Sequence, residues 1–214
     1  MARVSTDRSR QARRADRCHE DPSATVGIPE ISPGKGALAA HGREVSRIAA
    51  RIGDEVGFPA EAVDHLRFAG LFHDVGKLWI PDRILEKDGP LTVPEWKVVR
   101  KHPEIGALML SAYGLDQEAE WVLYHHERPD GLGYPFGLRG EEIPLESRIL
   151  AIADAWSAMR TDRPYSPMAT SVNARRELEF TRGEQFDAML VDVFLDVVES
   201  ELEATPDARV TARH

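Results

Sequence analysis

The chain has 214 residues, of which 42% are hydrophobic, 29% charged and 7% aromatic, and its formal net charge is −9. This length suits one domain, or one domain with a tail, and the absence of any run of 18 apolar residues excludes a membrane span. Its single cysteine, Cys18, excludes an internal disulfide, and the N-terminus has no apolar stretch typical of a secretory signal, so we expect a cytoplasmic protein.

The charge is distributed unevenly along the chain. Residues 1–19 carry six arginines against two aspartates, a local charge of +4 that leaves −13 for the rest. Such an acidic body is a poor binder of duplex nucleic acid, because phosphate backbones require neutralising Lys and Arg. We predict a disordered Arg-rich tail and a Pro/Gly-rich linker over 1–36, a folded domain over 37–204 and a disordered tail over 205–214.

Apolar residues recur at helical spacing through the predicted domain. The stretches are Val45–Ile52, Phe68–Val75, Ile105–Ala112, Ala119–His126 and, most regular of all, Phe186–Val198. Thr92 and Glu95 have the spacing of a capping box, and Gly76 and Gly114 follow helical stretches that a glycine would end. Because no stretch alternates as a strand does, the sequence predicts an all-α fold, a compact multi-helix bundle. We expect the last stripe to face the core, while the oligomeric state stays open.

One long segment interrupts the helices. Residues 127–147 are rich in glycine and proline, and they directly follow two histidines. A loop of this length inside a compact domain is usually functional or disordered. Its position after His125 and His126 favours a functional loop over a site.

Five histidines and two aspartates fall at inward positions or at helix ends of this pattern. They are His41, His73, His102, His125 and His126, together with Asp74 and Asp154. Each one alone is more often a satisfied core residue, but seven buried together would cost too much free energy unless they were paired or coordinated. Nitrogen and oxygen donors without cysteine favour two hard or borderline divalent cations over a structural zinc. His19, His65 and His214 have no such placement, and we interpret them as structural or as having no role.

Lys77 follows Asp74 by three residues. A lysine beside two cations would be repelled unless an anion shared the site, which favours a phosphate-neutralising role. A solvated lysine at the negative end of a helix dipole explains the spacing equally well.

Five motifs, in order, resemble the signature of the HD-GYP family, the helical branch of the HD metal-dependent phosphohydrolases. They are HDVGK (73–77), HPEIG (102–106), HHERPDGLGYP (125–135), GLRGEEIP (137–144) and ADAWSAMRTDRPY (153–165). The resemblance covers roughly residues 41–200 and also includes GEQFD (183–187), which is similar to a later segment of the family. It implies an HD-type bundle that acts in bacterial signal transduction as a cyclic di-GMP phosphodiesterase, with partner proteins in that signalling.

The resemblance also implies a role for individual residues. The seven residues named above would be the metal ligands, with Asp74 bridging the ions. The resemblance implies a centre of two or three metal ions, most often iron or manganese. Zinc and magnesium stay as alternatives. Asp74 and Lys77 would be catalytic, Lys77 and Arg163 would contact substrate phosphate, and Tyr134 would shape the guanine-nucleotide pocket.

The sequence departs from the family pattern at several positions. Ala37 stands where a glutamate is frequent, so we expect a binuclear centre rather than a third metal. Ser157 replaces an aspartate, and Ser166 replaces a basic residue that would contact phosphate. The Pro/Gly-rich linker replaces the usual lead-in to His41, which predicts a shortened first helix.

These residues predict hydrolysis of a phosphodiester by a hydroxide held between two metal ions, and the resemblance implies that the substrate is cyclic di-GMP and the product pGpG and/or GMP. Two alternatives stay open. One is a different HD-type enzyme acting on a nucleotide such as a dNTP or a guanosine alarmone. The other is a degenerate module that binds cyclic di-GMP, or docks a partner protein, without turnover.

Overall fold

Helices form nearly all of the regular structure in residues 33–161 and 169–204, which the computed structural model describes. The α-helices are α1 Pro33–Glu55, α2 Ala60–Phe72, α3 Asp82–Leu85, α4 Val93–Val99, α5 His102–Ala112, α6 Asp116–Leu123, α7 Leu145–Met159, α8 Ser171–Phe180 and α9 Ala188–Ala204. Two 3-10 helices span Val75–Trp79 and Gly140–Glu142. Within these ranges there is no strand, only two isolated bridges, and the predicted all-α fold is confirmed. Among the described helices, none has both the length and the hydropathy to cross a bilayer.

The hydrophobic core lies where α1 packs against α2, α7 and α9. Its largest fully buried side chains include Ile52, Leu66, Ile149, Leu150, Leu190 and Phe194. Each such burial contributes about 1.5–3 kcal/mol. The expectation that the C-terminal stripe faces the core is confirmed for Phe186, Leu190 and Phe194, whereas Met189 is exposed.

Two glycines place the backbones of α1 and α2 in contact. A Cβ atom at Gly42 would lie 2.4 Å from the carbonyl oxygen of Leu71, and one at Gly70 would lie 2.8 Å from the Cα of Ser46. No larger residue fits at either position without moving backbone. This close approach carries His41 of α1 next to the residue that follows α2.

A third close contact corrects the interpretation of Gly76. The helix predicted to run to Val75 ends at Phe72, and Gly76 lies inside the following 3-10 helix rather than ending α2. A Cβ at Gly76 would lie 2.0 Å from the carbonyl oxygen of His102, so the residue is a contact point with α5. Gly114, by contrast, has φ +75 after α5, as expected of a helix-ending glycine.

The buried face of α5 also differs from the apolar stripe in the sequence. His102, Gly106 and Leu110 point inward, whereas Leu108 is 73% exposed. The predicted stripe counted apolar side chains, but the close contact with Gly76 selects the face that carries glycine and histidine. The capping box of α4 is confirmed, because Thr92 and Glu95 exchange the expected hydrogen bonds.

Two helices begin earlier than the sequence pattern predicts. The first helix begins at Pro33, inside the Pro/Gly-rich linker predicted over 1–36. Proline is well suited to the first turn of a helix, which has no partner for its N–H groups, and this explains how a Pro/Gly-rich stretch enters α1. The loop predicted over 127–147 ends where α7 begins at Leu145. Residues 1–32 of the tail and linker predicted over 1–36, and the tail predicted over 205–214, lie outside the described residues.

Candidate metal centre

The seven side chains predicted as ligands come together from separate elements. His41 lies on α1, His73 and Asp74 follow α2, His102 begins α5, His125 and His126 follow α6, and Asp154 lies on α7. The imidazole rings form a continuous cluster, with centroid distances of 5.1 Å from His41 to His73, 5.3 Å from His73 to His125 and 4.9 Å from His102 to His126. Residues distant in sequence therefore line one interior site.

Two groups of donor atoms meet at Asp74. Ligand atoms of Asp74, His102, His125 and His126 lie within 4.8 Å of one another, and so do those of His41, His73 and Asp74. Asp154 belongs to neither group, but its Oδ1 lies 2.9 Å from His41 Nε2 and 3.8 Å from His73 Nε2. Asp74 is thus the carboxylate that the two groups share.

Backbone carbonyls fix the orientation of three of the histidines. The Nδ1–H groups of His73, His102 and His125 donate to the carbonyl oxygens three residues earlier, at Gly70 (2.8 Å), Val99 (2.8 Å) and Val122 (2.5 Å). A carbonyl can only accept, so the proton of each neutral ring is on Nδ1 and Nε2 presents a lone pair. Such hydrogen bonds to the second nitrogen are typical of metal-bound histidines.

The Nε2 atoms therefore face one another without enough protons. Nε2 of His102 lies 3.4 Å from Nε2 of His125, and two lone pairs at this distance repel each other. The buried Nε2 of His73 and Oδ1 of Asp74 have no hydrogen-bond partner. Buried polar atoms are seldom left unsatisfied, and a cation between these donors would satisfy them all. The residues present thus fit divalent metal ions.

The charge states of these groups also suit a metal. Burial lowers the pKa of His125 well below its usual value, aided by the neighbouring histidines, and lowers the pKa of His126 to about 3. Burial acts to raise the pKa of Asp74, but Lys77 and His73 outweigh it and hold that pKa well below its usual range. Burial acts to lower the pKa of His73, but Asp74 outweighs it and raises that pKa. At neutral pH His125 and His126 are therefore neutral and Asp74 is ionised, which are the forms that bind metal.

Of the residues predicted to bind substrate, two lie at the cluster. Lys77 Nζ donates to Asp74 Oδ2 at 2.6 Å, and its side chain is 23% exposed. Tyr134 stacks on His126, with ring centroids 4.8 Å apart, and the guanidinium of Arg100 lies 4.9 Å from the centroid of the tyrosine ring. Arg163 and Ser166 lie outside the described residues.

Sequence reasoning missed three contacts around this centre. Ser157, noted only as a departure from the family pattern, has its Oγ 2.9 Å from His41 Nδ1. Arg100 and the buried Glu127 were not singled out. Glu127 directly follows the paired histidines in the motif, and this position was the only signal that could have identified it.

Residues 25–190 match the family model described as HD domain. A cyclic di-GMP phosphodiesterase of Thermotoga maritima is 40% identical over 158 residues, which are 72% of this chain and 43% of that protein. A 3'3'-cGAMP-specific phosphodiesterase of Vibrio cholerae is 39% identical over 160 residues, or 73% and 31% of the two chains. The solved structure of an HDG"Y"P protein from Bdellovibrio bacteriovorus superposes with a TM-score of 0.64 at 18% identity, covering 77% of this chain and 53% of that one. The chain spans less than half the length of these two curated relatives.

Proposed function

Because the chain belongs to the HD domain family, as its HD-GYP motifs predicted, we propose that it is a metal-dependent phosphodiesterase that hydrolyses cyclic di-GMP to pGpG and/or GMP. One observation carries this proposal: two groups of histidine and carboxylate donors share Asp74, next to a lysine that can neutralise phosphate. The proposal includes a cytoplasmic location, which suits a chain with one cysteine.

The HD domain implies dependence on divalent metal, and we propose two ions, iron or manganese, with zinc or magnesium as alternatives. Asp74, His102, His125 and His126 would hold one ion. His41, His73 and Asp74 would hold the other, with Asp154 beside them. When bound, such a pair of cations supplies a nucleophile at neutral pH by lowering the pKa of water, and neutralises charge on the phosphate.

The protein's own residues bind and orient the substrate. Lys77, partly exposed beside Asp74, offers a fixed positive charge to a phosphate oxygen on which negative charge accumulates during cleavage. Tyr134 forms one wall of the entrance, where its ring covers His126 and is itself covered by Arg100. Arg163 belongs to the proposal as a second phosphate contact. The positive charges of Lys77, Arg100 and Arg163 would attract a dianionic substrate to a protein whose net charge is negative.

Substrate choice within the cyclic dinucleotides needs a direct comparison, because the relatives named for cyclic di-GMP and for 3'3'-cGAMP are almost equally similar to this chain. A degenerate module that binds without turnover is less compatible with the site, since a protein freed from catalysis has no physical need for so many unsatisfied metal donors. Relatives named as phosphodiesterases also favour a cyclic dinucleotide over a dNTP or an alarmone.

The proposal is tested by anaerobic purification, elemental analysis and a chromatographic assay with cyclic di-GMP and 3'3'-cGAMP supplied in parallel. We expect about two equivalents of iron or manganese per chain, as in other two-metal hydrolases, and release of pGpG or GMP. Tight nucleotide binding without product would instead identify a binding module. Faster turnover of 3'3'-cGAMP would change the assigned substrate but keep the reaction class.

A further inference from the structure

Glu127 carries a buried carboxylate, and all of the hydrogen bonds described for it come from backbone N–H groups rather than from a basic side chain. Glu127 is only 2% exposed to solvent. Oε1 accepts hydrogen bonds from the backbone N–H groups of Phe136 (2.6 Å) and Gly137 (3.1 Å), and Oε2 accepts one from Leu138 (3.0 Å). Burying a carboxylate is costly unless such bonds compensate it. These bonds therefore attach residues 136–138 of the loop that follows His126 to Glu127, the residue directly after His126.

The near side of the same loop is held by backbone contact. The N–H of Tyr134 donates to the carbonyl oxygen of His126 at 3.1 Å. A Cβ atom at Gly133 would lie 2.4 Å from the backbone nitrogen of Arg128, so only glycine allows this approach. Tyr134 belongs to this near attachment and directly precedes Pro135 and the segment held by Glu127, and its ring stacks on His126.

We propose that Glu127 is a positioning residue: by holding the amides of Phe136–Leu138 it keeps Tyr134 on the face of His126 and so sets the shape of the substrate entrance. The expected effect of Glu127 on KM rests on the proposed function, whereas its expected effect on the position of Tyr134 does not. The hydrogen bonds described for Glu127 reach only the backbone of Phe136–Leu138, so we assign it a role that acts through Tyr134.

The test compares Glu127→Gln with a matched control, Glu142→Gln. Glu142 lies in the same loop and accepts one backbone hydrogen bond, from Arg139, but it is exposed. A glutamine at 127 keeps the shape of the side chain and presents an N–H group to at least one backbone donor. We expect amide exchange over 136–138 to accelerate about tenfold or more in Glu127→Gln, since a buried donor is left without a partner, and to stay unchanged in the control.

Two further readouts separate positioning from general support of the fold. In zinc-loaded protein labelled with fluorotyrosine, the Tyr134 resonance, assigned with Tyr134→Phe, should shift in Glu127→Gln and not in Glu142→Gln. In steady-state assays with cyclic di-GMP, Glu127→Gln should raise KM about tenfold with a smaller change in kcat. The same substitution in a Tyr134→Leu background should change KM by less than about twofold, because coupled residues are not additive.

Several results would overturn the positioning role. They are unchanged exchange over 136–138, an unmoved Tyr134 resonance, or the same KM increase in both backgrounds. If Glu127→Gln does not fold, Gly133→Ala displaces the loop from its other attachment and should give the same exchange and resonance changes. If the wild type turns over no cyclic dinucleotide, the proposed function fails, whereas exchange and resonance still decide the role of Glu127.

Discussion

Two of the histidine–carboxylate pairs in the described part of the chain, His65 with Glu118 and His73 with Asp74, behave differently. The outer pair joins α2 to α6: His65 Nδ1 lies 2.5 Å from Glu118 Oε1, and the histidine side chain is 39% exposed. The inner pair directly follows α2: the His73 side chain is 1% exposed, and its Nε2 lies 3.4 Å from Asp74 Oδ2 without a hydrogen bond. Residue types alone do not distinguish these pairs.

The difference lies in the number of protons available to the acceptor atoms. One proton on His65 satisfies one oxygen of Glu118, and this hydrogen bond raises the pKa of His65, so the pair is complete by itself. Around His73 the Nδ1 groups are already hydrogen-bonded to carbonyls, and both the Nε2 of His73 and the Oδ1 of Asp74 are left without a hydrogen-bond partner. A buried histidine–carboxylate cluster thus indicates a metal site when its acceptors exceed its protons.

The largest expected effect comes from removing the carboxylate that both donor groups share. Asp74→Ala should abolish hydrolysis and bound metal together, because each ion loses a ligand. Elemental analysis and the chromatographic assay measure both. Glu118→Gln is the matched control, since it neutralises the carboxylate of the outer pair and should leave the metal content unchanged. An Asp74→Ala protein that keeps two ions would contradict the shared role of this residue.

A smaller effect is expected at the second nitrogen of a candidate ligand. Ser157→Ala removes the oxygen next to His41 Nδ1 and should weaken Mn²⁺ binding about 10- to 100-fold, as losses of such supporting groups do. Calorimetric titration with Mn²⁺ measures this. Ser157→Asp, which restores the family's residue, should bind at least as tightly as wild type.

Ser147→Ala provides the control for that experiment. Ser147 is buried on the same helix and donates to the carbonyl of Trp121 at 2.9 Å, away from the donor atoms. Its loss should lower stability without changing Mn²⁺ affinity. Equal affinities for wild type and Ser157→Ala would show that His41 needs no support from this position.

The smallest effect is a pH dependence at the outer pair. Because Glu118 raises the pKa of His65 in the folded state, the protonated pair contributes its full stability below the unfolded pKa of about 6.5 and loses it as pH rises through the raised pKa. His65→Gln should therefore cost more at pH 6 than at pH 9, by at most about 1 kcal/mol for a partly exposed pair. Urea unfolding at the two pH values measures this difference, and an equal cost at both would contradict a titrating pair.

Much of the fold and of the candidate site was predictable from local pattern. Helical periodicity identified the helices, because an apolar stripe needs only near neighbours in the chain to be recognised. Motif order and residue type identified His73, Asp74 and the paired histidines as candidates. The residue types also pointed to divalent cations, because imidazole and carboxylate donors have known metal preferences.

Only the tertiary structure decided how closely these pieces approach and what supports them. The roles of Gly42, Gly70 and Gly76 depend on backbone atoms of other helices, and the sequence spacing of Gly76 indicated a helix end instead. Glu127 and Ser157 gained their roles from partners 9 and 116 residues away in the chain. Sequence periodicity reports which face of a helix is apolar, whereas a metal centre requires polar atoms from several helices to converge, and that distance is set by packing alone.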